Sequence, residues 1–234
     1  MIRSFFLALA LAALFPLIAV AQPGKLSIGF EGGAGIRMLT GSSFVREFYD
    51  PSAGGGGGLA IQYQFSEYMS MRTGVMVERK GGAGDLLLTD EFGSAIGNGR
   101  VALNFDYVSL PVLARFSTGK SKRFFANVGP SFGYLAQAIG RISGTNTPSD
   151  GNTDILQSYN RFDVDALAGF GLEFDMGKRA VSSIEWRNSI GLWNTSIQSS
   201  TQQLPQRVNS ALLLVGVRFA LGRTNDNNTT KPRR

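Results

Sequence analysis

The 234-residue chain contains no cysteine and no histidine, and only 17% of its residues are charged. With no thiol, neither a disulfide scaffold nor a lipid-modified cysteine anchor is available. With neither residue type, the usual zinc and haem ligand sets cannot be assembled. Missing histidine also removes the commonest catalytic base. The small charged share, set against a usual figure of about 25%, argues against a disordered polyampholyte. Beyond residue 21, no uncharged apolar run approaches the ~18 residues of a membrane-spanning helix. Glycine, in contrast, is abundant, with 30 residues in the chain, or about 13% where about 7% is usual.

The N-terminus reads as an export signal. Arg3 supplies a positive charge, Phe5 to Val20 is an almost unbroken apolar stretch, and Ala19-Val20-Ala21 has the small-x-small pattern of a cleavage site, which puts the cut before Gln22. The net charge of +6 falls to +5 once Arg3 is lost. The basic residues are scattered except for Lys231, Arg233 and Arg234, so no nucleic-acid partner is expected. The expected organisation is a signal peptide over 1–21, one β-barrel domain over 22–222, and a disordered polar tail over 223–234.

Period-two alternation recurs along the mature chain. Leu26, Ile28, Phe30, Ala34, Ile36 and Met38 alternate with Ser27, Gly29, Glu31 and Arg37. The same grammar predicts strands at Leu59 to Phe65, Met69 to Glu78, Val101 to Phe116, Phe124 to Gln137, Phe162 to Asp175, Ser183 to Leu192 and Ala211 to Phe219. Together these make eight strands. In the fourth, apolar parity slips from Leu103, Phe105 and Tyr107 to Val108, Leu110 and Val112, which predicts a bulge near Tyr107, with Pro111 tolerated beside it.

Connections between these segments alternate long and short. Leu39 to Gly58, Gly81 to Arg100, Ile139 to Asn160 and Trp193 to Arg207 are long; Ser66 to Tyr68, Ser117 to Lys122 and Gly177 to Arg179 are short. That asymmetry, strands near the ~9 to 11 residues of a tilted membrane strand, and aromatic residues beside the short turns (Phe65, Tyr68, Phe116, Phe124, Phe174, Phe219) predict an eight-stranded, antiparallel, up-and-down transmembrane β-barrel in an outer membrane. Lipid is the partner of its apolar face, and the long loops face outward from the cell as a surface for an envelope or extracellular protein.

The other face is glycine-rich and carries both charge signs: Glu31, Arg37, Arg72, Glu78, Asp163, Asp165, Glu173, Glu185, Arg187 and Arg218. Eight strands enclose little more than their own side chains. These charges therefore read as a salt-bridged core that fixes the barrel, in preference to a proton or ion path. The pair Asp163 and Asp165 has a spacing compatible with acid/base chemistry. It equally suits acids facing arginines, so no catalytic residue, cofactor or metal is assigned. The glycine run Gly54 to Gly58 and the string Gly97-Asn98-Gly99 lack the context of a phosphate loop and read as flexible loop tips. Asn146, Asp150, Asn152 and Asp154 match no EF-hand spacing and read as a solvated loop.

The stretch Tyr107-Val108-Ser109-Leu110-Pro111-Val112-Leu113-Ala114-Arg115, followed by Phe124 to Leu135, Gly169-Phe170-Gly171-Leu172-Glu173-Phe174 and Val215-Gly216-Val217-Arg218-Phe219, resembles the PorT-like "porin family" outer-membrane barrels of Bacteroidetes. The resemblance runs from about Lys25 to Gly222. It implies insertion by the barrel-assembly machinery, with Phe219 as the aromatic residue of the C-terminal signal, although here a hydrophilic tail follows. Two alternatives stand beside a structural or surface-interaction role: a narrow channel for small solutes or ions, and, from relatives that the resemblance brings in, an accessory component of protein secretion.

Overall fold

The computed structural model describes residues 26–89, 92, 94–119, 122–144, 151–177, 179–197 and 205–221. The predicted signal peptide and the polar tail lie outside the described residues, as do Asn146 and Asp150. The described residues form nine strands: β1 (Leu26–Gly41), β2 (Ser52–Gln64), β3 (Met69–Thr89), β4 (Ala95–Gly119), β5 (Lys122–Gly144), β6 (Gly151–Asp154), β7 (Phe162–Met176), β8 (Ala180–Gly191) and β9 (Gln206–Leu221). Every pairing is antiparallel. β1 pairs with both β2 and β9, and β4 with both β3 and β5, so eight strands close into a ring. The ninth, β6, adds to the far end of β5 outside that ring, through Ile139 to Ile142.

Side-chain direction follows the alternation. Phe30, Leu59, Val128, Phe132, Phe162, Phe170 and Val215 are exposed on the outside of the ring, whereas Glu31, Arg72, Asp163, Asp165, Glu173, Glu185 and Arg187 are buried within it. In water this arrangement would be inside out. In a bilayer it gives each surface its proper solvent. At the short-turn rim Phe65, Tyr68, Phe116, Phe124 and Phe219 are all exposed outward, forming the expected aromatic girdle.

The strands run further than alternation alone suggested. β3 and β4 pair out to Thr89 and Ala95, so their connection spans only 90–94, and the first connection spans 42–51. Neither glycine segment is a loop tip. Gly54 to Gly58 lies inside β2, paired with Glu31 to Gly35 of β1, and Gly97 to Gly99 lies inside β4. The reason is steric. A Cβ built on Gly58 would stand 2.0 Å from the carbonyl oxygen of Val75, so the close approach of β3 here calls for a residue without a side chain.

The expected bulge is real but sits on the neighbouring strand. β4 keeps one face inward throughout, with Leu103, Phe105, Tyr107, Ser109, Leu113 and Arg115 all buried. Its apolar residues change parity because the interior itself turns from apolar to polar along the axis. Opposite the step from Asp106 to Tyr107, β5 passes from Gln137 to Leu135, so Ala136 is the extra residue. Pro111 interrupts the β3–β4 ladder between the Thr73–Val112 and Met76–Ser109 pairs, where it has no N–H to give.

Phe170, 64% exposed on β7, tests the outward direction. Phe170→Arg is expected to cost about 2–4 kcal/mol in reversible urea unfolding from lipid vesicles, whereas Phe170→Leu stays within about 1 kcal/mol. A Phe170→Arg protein as stable as the parent would contradict a lipid-facing wall.

Candidate functional site

The interior is layered along the ring axis. Nearest the short turns is a continuous ion-pair network. Glu31 of β1 accepts from Arg72 of β3 through one oxygen and from Arg187 of β8 at 2.8 Å through the other. Arg187 also binds Glu185, two residues away on its own strand, at 2.6 Å. Arg115 of β4 bonds to Glu173 of β7 and reaches Glu185 at 3.3 Å. Glu173 then takes Arg218 of β9 at 2.6 Å and Arg123 of β5 at 3.3 Å. The Arg115 Nε donates to Asn127 at 2.8 Å, and its guanidinium lies 3.8 Å from the centre of the Phe125 ring.

Above this network Met76, Leu212 and Leu214 form a small apolar layer. Above that lies a second polar group. Lys80 of β3 donates to Asp165 at 2.5 Å and to Ser189 at 3.1 Å, with Glu78, Asp163 and Tyr107 buried close by. Arg37 ties the upper wall together, donating to the Lys80 carbonyl at 2.9 Å, to Asn104 at 2.8 Å and to Ser52 at 3.0 Å.

The long-loop mouth is closed by apolar side chains. The first connection carries a short helix, α1 (Ser43–Phe48), whose N-terminus is capped by the Ser42 hydroxyl accepting from the Val45 N–H at 3.3 Å. Val45 is buried together with Leu39, Leu103, Phe105, Leu135 and Val208, and Tyr49, Ile155, Leu156 and Tyr159 pack against them. Two hydrogen bonds between the backbones of Asp50 and Ala83 fasten the connection to β3.

Of the ten interior charges predicted as a salt-bridged core, the structure joins Glu31, Arg72, Glu173, Glu185, Arg187 and Arg218 in the lower layer, holds Asp165 in the upper one through Lys80, and engages Arg37 through hydrogen bonds to Ser52, Asn104 and the Lys80 carbonyl. Glu78 and Asp163 form no ion pair among the described residues; each keeps an oxygen with no hydrogen-bond partner. Two central cations, Arg115 and Lys80, were missed. Arg115 follows from carrying the Tyr107 face along β4 without a slip, and Lys80 lies one alternation beyond Glu78. Asp163 accepts from the Val164 N–H at 2.9 Å, while Asp165 pairs with Lys80. In the former loop, Asp154 accepts from the Leu156 N–H at 2.9 Å.

A closed ring of eight antiparallel strands, greasy outside and charge-paired inside, defines a β-barrel of the outer membrane. The family model described as "Outer membrane protein beta-barrel domain" matches residues 20–196, and the chain belongs to that family. Among solved structures it is similar to the surface protein A of Neisseria (11% identity, 86% of this chain and all of that one, TM-score 0.48). It is also similar to the N-terminal barrel domain of OprF from Pseudomonas aeruginosa (11% identity, 85% and 98% covered, TM-score 0.40). A third similarity is to the attachment invasion locus protein of Yersinia pestis (14% identity, 83% and 99% covered, TM-score 0.39). No curated protein matches.

The two kinds of arginine differ in environment. Removing one member of the buried network strands its partners, so Arg115→Met and Arg187→Leu are each expected to cost about 3–5 kcal/mol in urea unfolding. The outward pair of Arg79 with Asp106, at 2.6 Å but with Arg79 56% exposed, is expected to contribute no more than about 1 kcal/mol when Arg79 is changed to Leu. Equal losses for all three would show that burial is irrelevant to these charges.

Proposed function

We propose that this protein is a non-catalytic scaffold of the outer membrane, acting through the surface its long connections present outside the cell. The observation that carries this reading is the filled interior: an ion-pair network, an apolar layer and an apolar cap follow one another along the axis. Such a stack argues against a diffusion path for solutes and leaves the exterior connections as the part free to meet a partner. The buried charges serve, on this reading, to hold the barrel's shape. Phe219, exposed at the end of β9 opposite Ile28 of β1 and Ala180 of β8, suits the role of an aromatic signal for the insertion machinery. The accessory role in protein secretion rests on the motif resemblance around Tyr107 to Arg115.

Two measurements test this. In planar bilayers the full chain is expected to give no discrete current steps; ohmic steps of defined size would favour the channel reading. Because the chain has no native cysteine, single cysteines report sidedness cleanly. On intact cells a membrane-impermeant maleimide should label Phe44→Cys on α1 and leave Glu67→Cys, in the first short turn, unlabelled. The reverse pattern would put the long connections in the periplasm and remove the proposed contact surface.

A further inference from the structure

Between the apolar layer and the cap lies a chamber that the lower network does not neutralise. Its polar lining is Glu78, Asp165, Arg187 and the serines Ser109, Ser131, Ser189 and Ser210, the rest of the wall being apolar, and it has space for about one water-sized body. Glu78 is 6% exposed and Asp165 2%. One oxygen of each, Oε1 of Glu78 and Oδ1 of Asp165, has no hydrogen-bond partner, and neither has Oδ2 of the neighbouring Asp163.

The adjacent cations are already engaged. Lys80 donates to Asp165 Oδ2 and Ser189, and Arg187, which also borders the chamber, directs its guanidinium at Glu31, Glu185 and the Met76 sulfur. Around the chamber Glu78, Asp165 and the neighbouring Asp163 are met by the Lys80 ammonium, while the Arg187 guanidinium on its edge is turned toward Glu31 and Glu185. Leaving buried carboxylate oxygens without a donor or counter-ion is costly.

The donor set indicates what would answer them. All available groups are hard oxygens, which suits an alkali or alkaline-earth ion and not a soft metal. A divalent ion of the calcium type calls for 6–8 oxygens including several convergent carboxylates. Among the described residues no three acidic groups converge on one point. One water-sized space, two free carboxylate oxygens and a wall of hydroxyls match a smaller demand. We propose that this chamber binds a single monovalent alkali cation, sodium or potassium, held by Glu78 Oε1, Asp165 Oδ1 and serine hydroxyl oxygens. The ion is structural: the cap seals it from the cell exterior, and the layer of Met76, Leu212 and Leu214 separates it from the short-turn end.

The test uses the full chain refolded in detergent, with thermal unfolding followed by the electrophoretic shift between compact and unfolded forms and by the fluorescence of Trp186 and Trp193. Sodium chloride, potassium chloride and choline chloride are compared at equal ionic strength and near-neutral pH. A bound alkali ion raises the midpoint saturably, by at least about 2 °C over choline. Glu78→Gln abolishes the difference between the salts, and Ser210→Ala moves saturation to a salt concentration at least about three-fold higher. Identical midpoints in all three salts for the parent protein would overturn the proposal and leave water or a proton as the occupant. A full alkali response surviving in Glu78→Gln would overturn it as well. Should Glu78→Gln fail to fold, the parent and Ser210→Ala curves decide between these outcomes.

Discussion

Charge neutrality within a narrow ring is the constraint on which the structure depends. Eight strands leave little room for bulk water, so charges that alternation sends inward are stabilised where they meet partners from other staves. Glu31 on β1 is met by Arg72 from β3 and Arg187 from β8; Glu173 on β7 is met by Arg115, Arg123 and Arg218 from β4, β5 and β9. These contacts span the ring, whereas backbone ladders only join neighbours. The network therefore fixes the ring's cross-section, a property that the lipid-facing side chains, each touching only its own sector, cannot supply.

The same constraint explains which features could be read from the sequence. The direction of the faces was legible because the inward charges other than Lys80, which lies between Arg79 and Gly81, sit one residue from an apolar group: Asp163 beside Phe162, Glu185 beside Trp186, Arg218 beside Phe219. Ring closure was legible only indirectly, through strand number and the alternation of connection lengths. Arg115 was hidden because Leu103, Phe105 and Tyr107 are apolar and yet face inward, which mimics a slip of parity. The upper interior is apolar because the cap, assembled from Val45, Tyr49, Ile155 and Tyr159, packs there. Those residues are far apart in the chain, and no local pattern announces that they meet.

Glycine misled for a related reason. A run such as Gly54 to Gly58 has no alternation to read, because it has no side chains, and flexible loops share that appearance. In the folded ring the same lack of side chains is what close strand approach demands, since neighbouring carbonyl oxygens occupy the positions a Cβ would take at Gly33, Gly58 and Gly74. Composition could report the abundance of glycine but not whether close approach or flexibility required it. The distinction lies in pairing with β1 and β3, a tertiary fact.

The layering also bears on the proposed role of the outer connections. Met76, Leu212 and Leu214 pack between the bulk of the arginine-rich lower network and the acid-rich group around Lys80, while Arg187, held by Glu31 and Glu185, reaches the edge of that upper group. The cap does comparable work at the mouth, where Asp50 and Ala83 tie the helix-bearing connection to β3. A connection anchored from beneath can present α1, with Phe44 exposed on it, in a fixed position above the membrane. Interior packing and exterior presentation thus have a common cause: the side chains that close the lumen are also those that hold the outer connections in place.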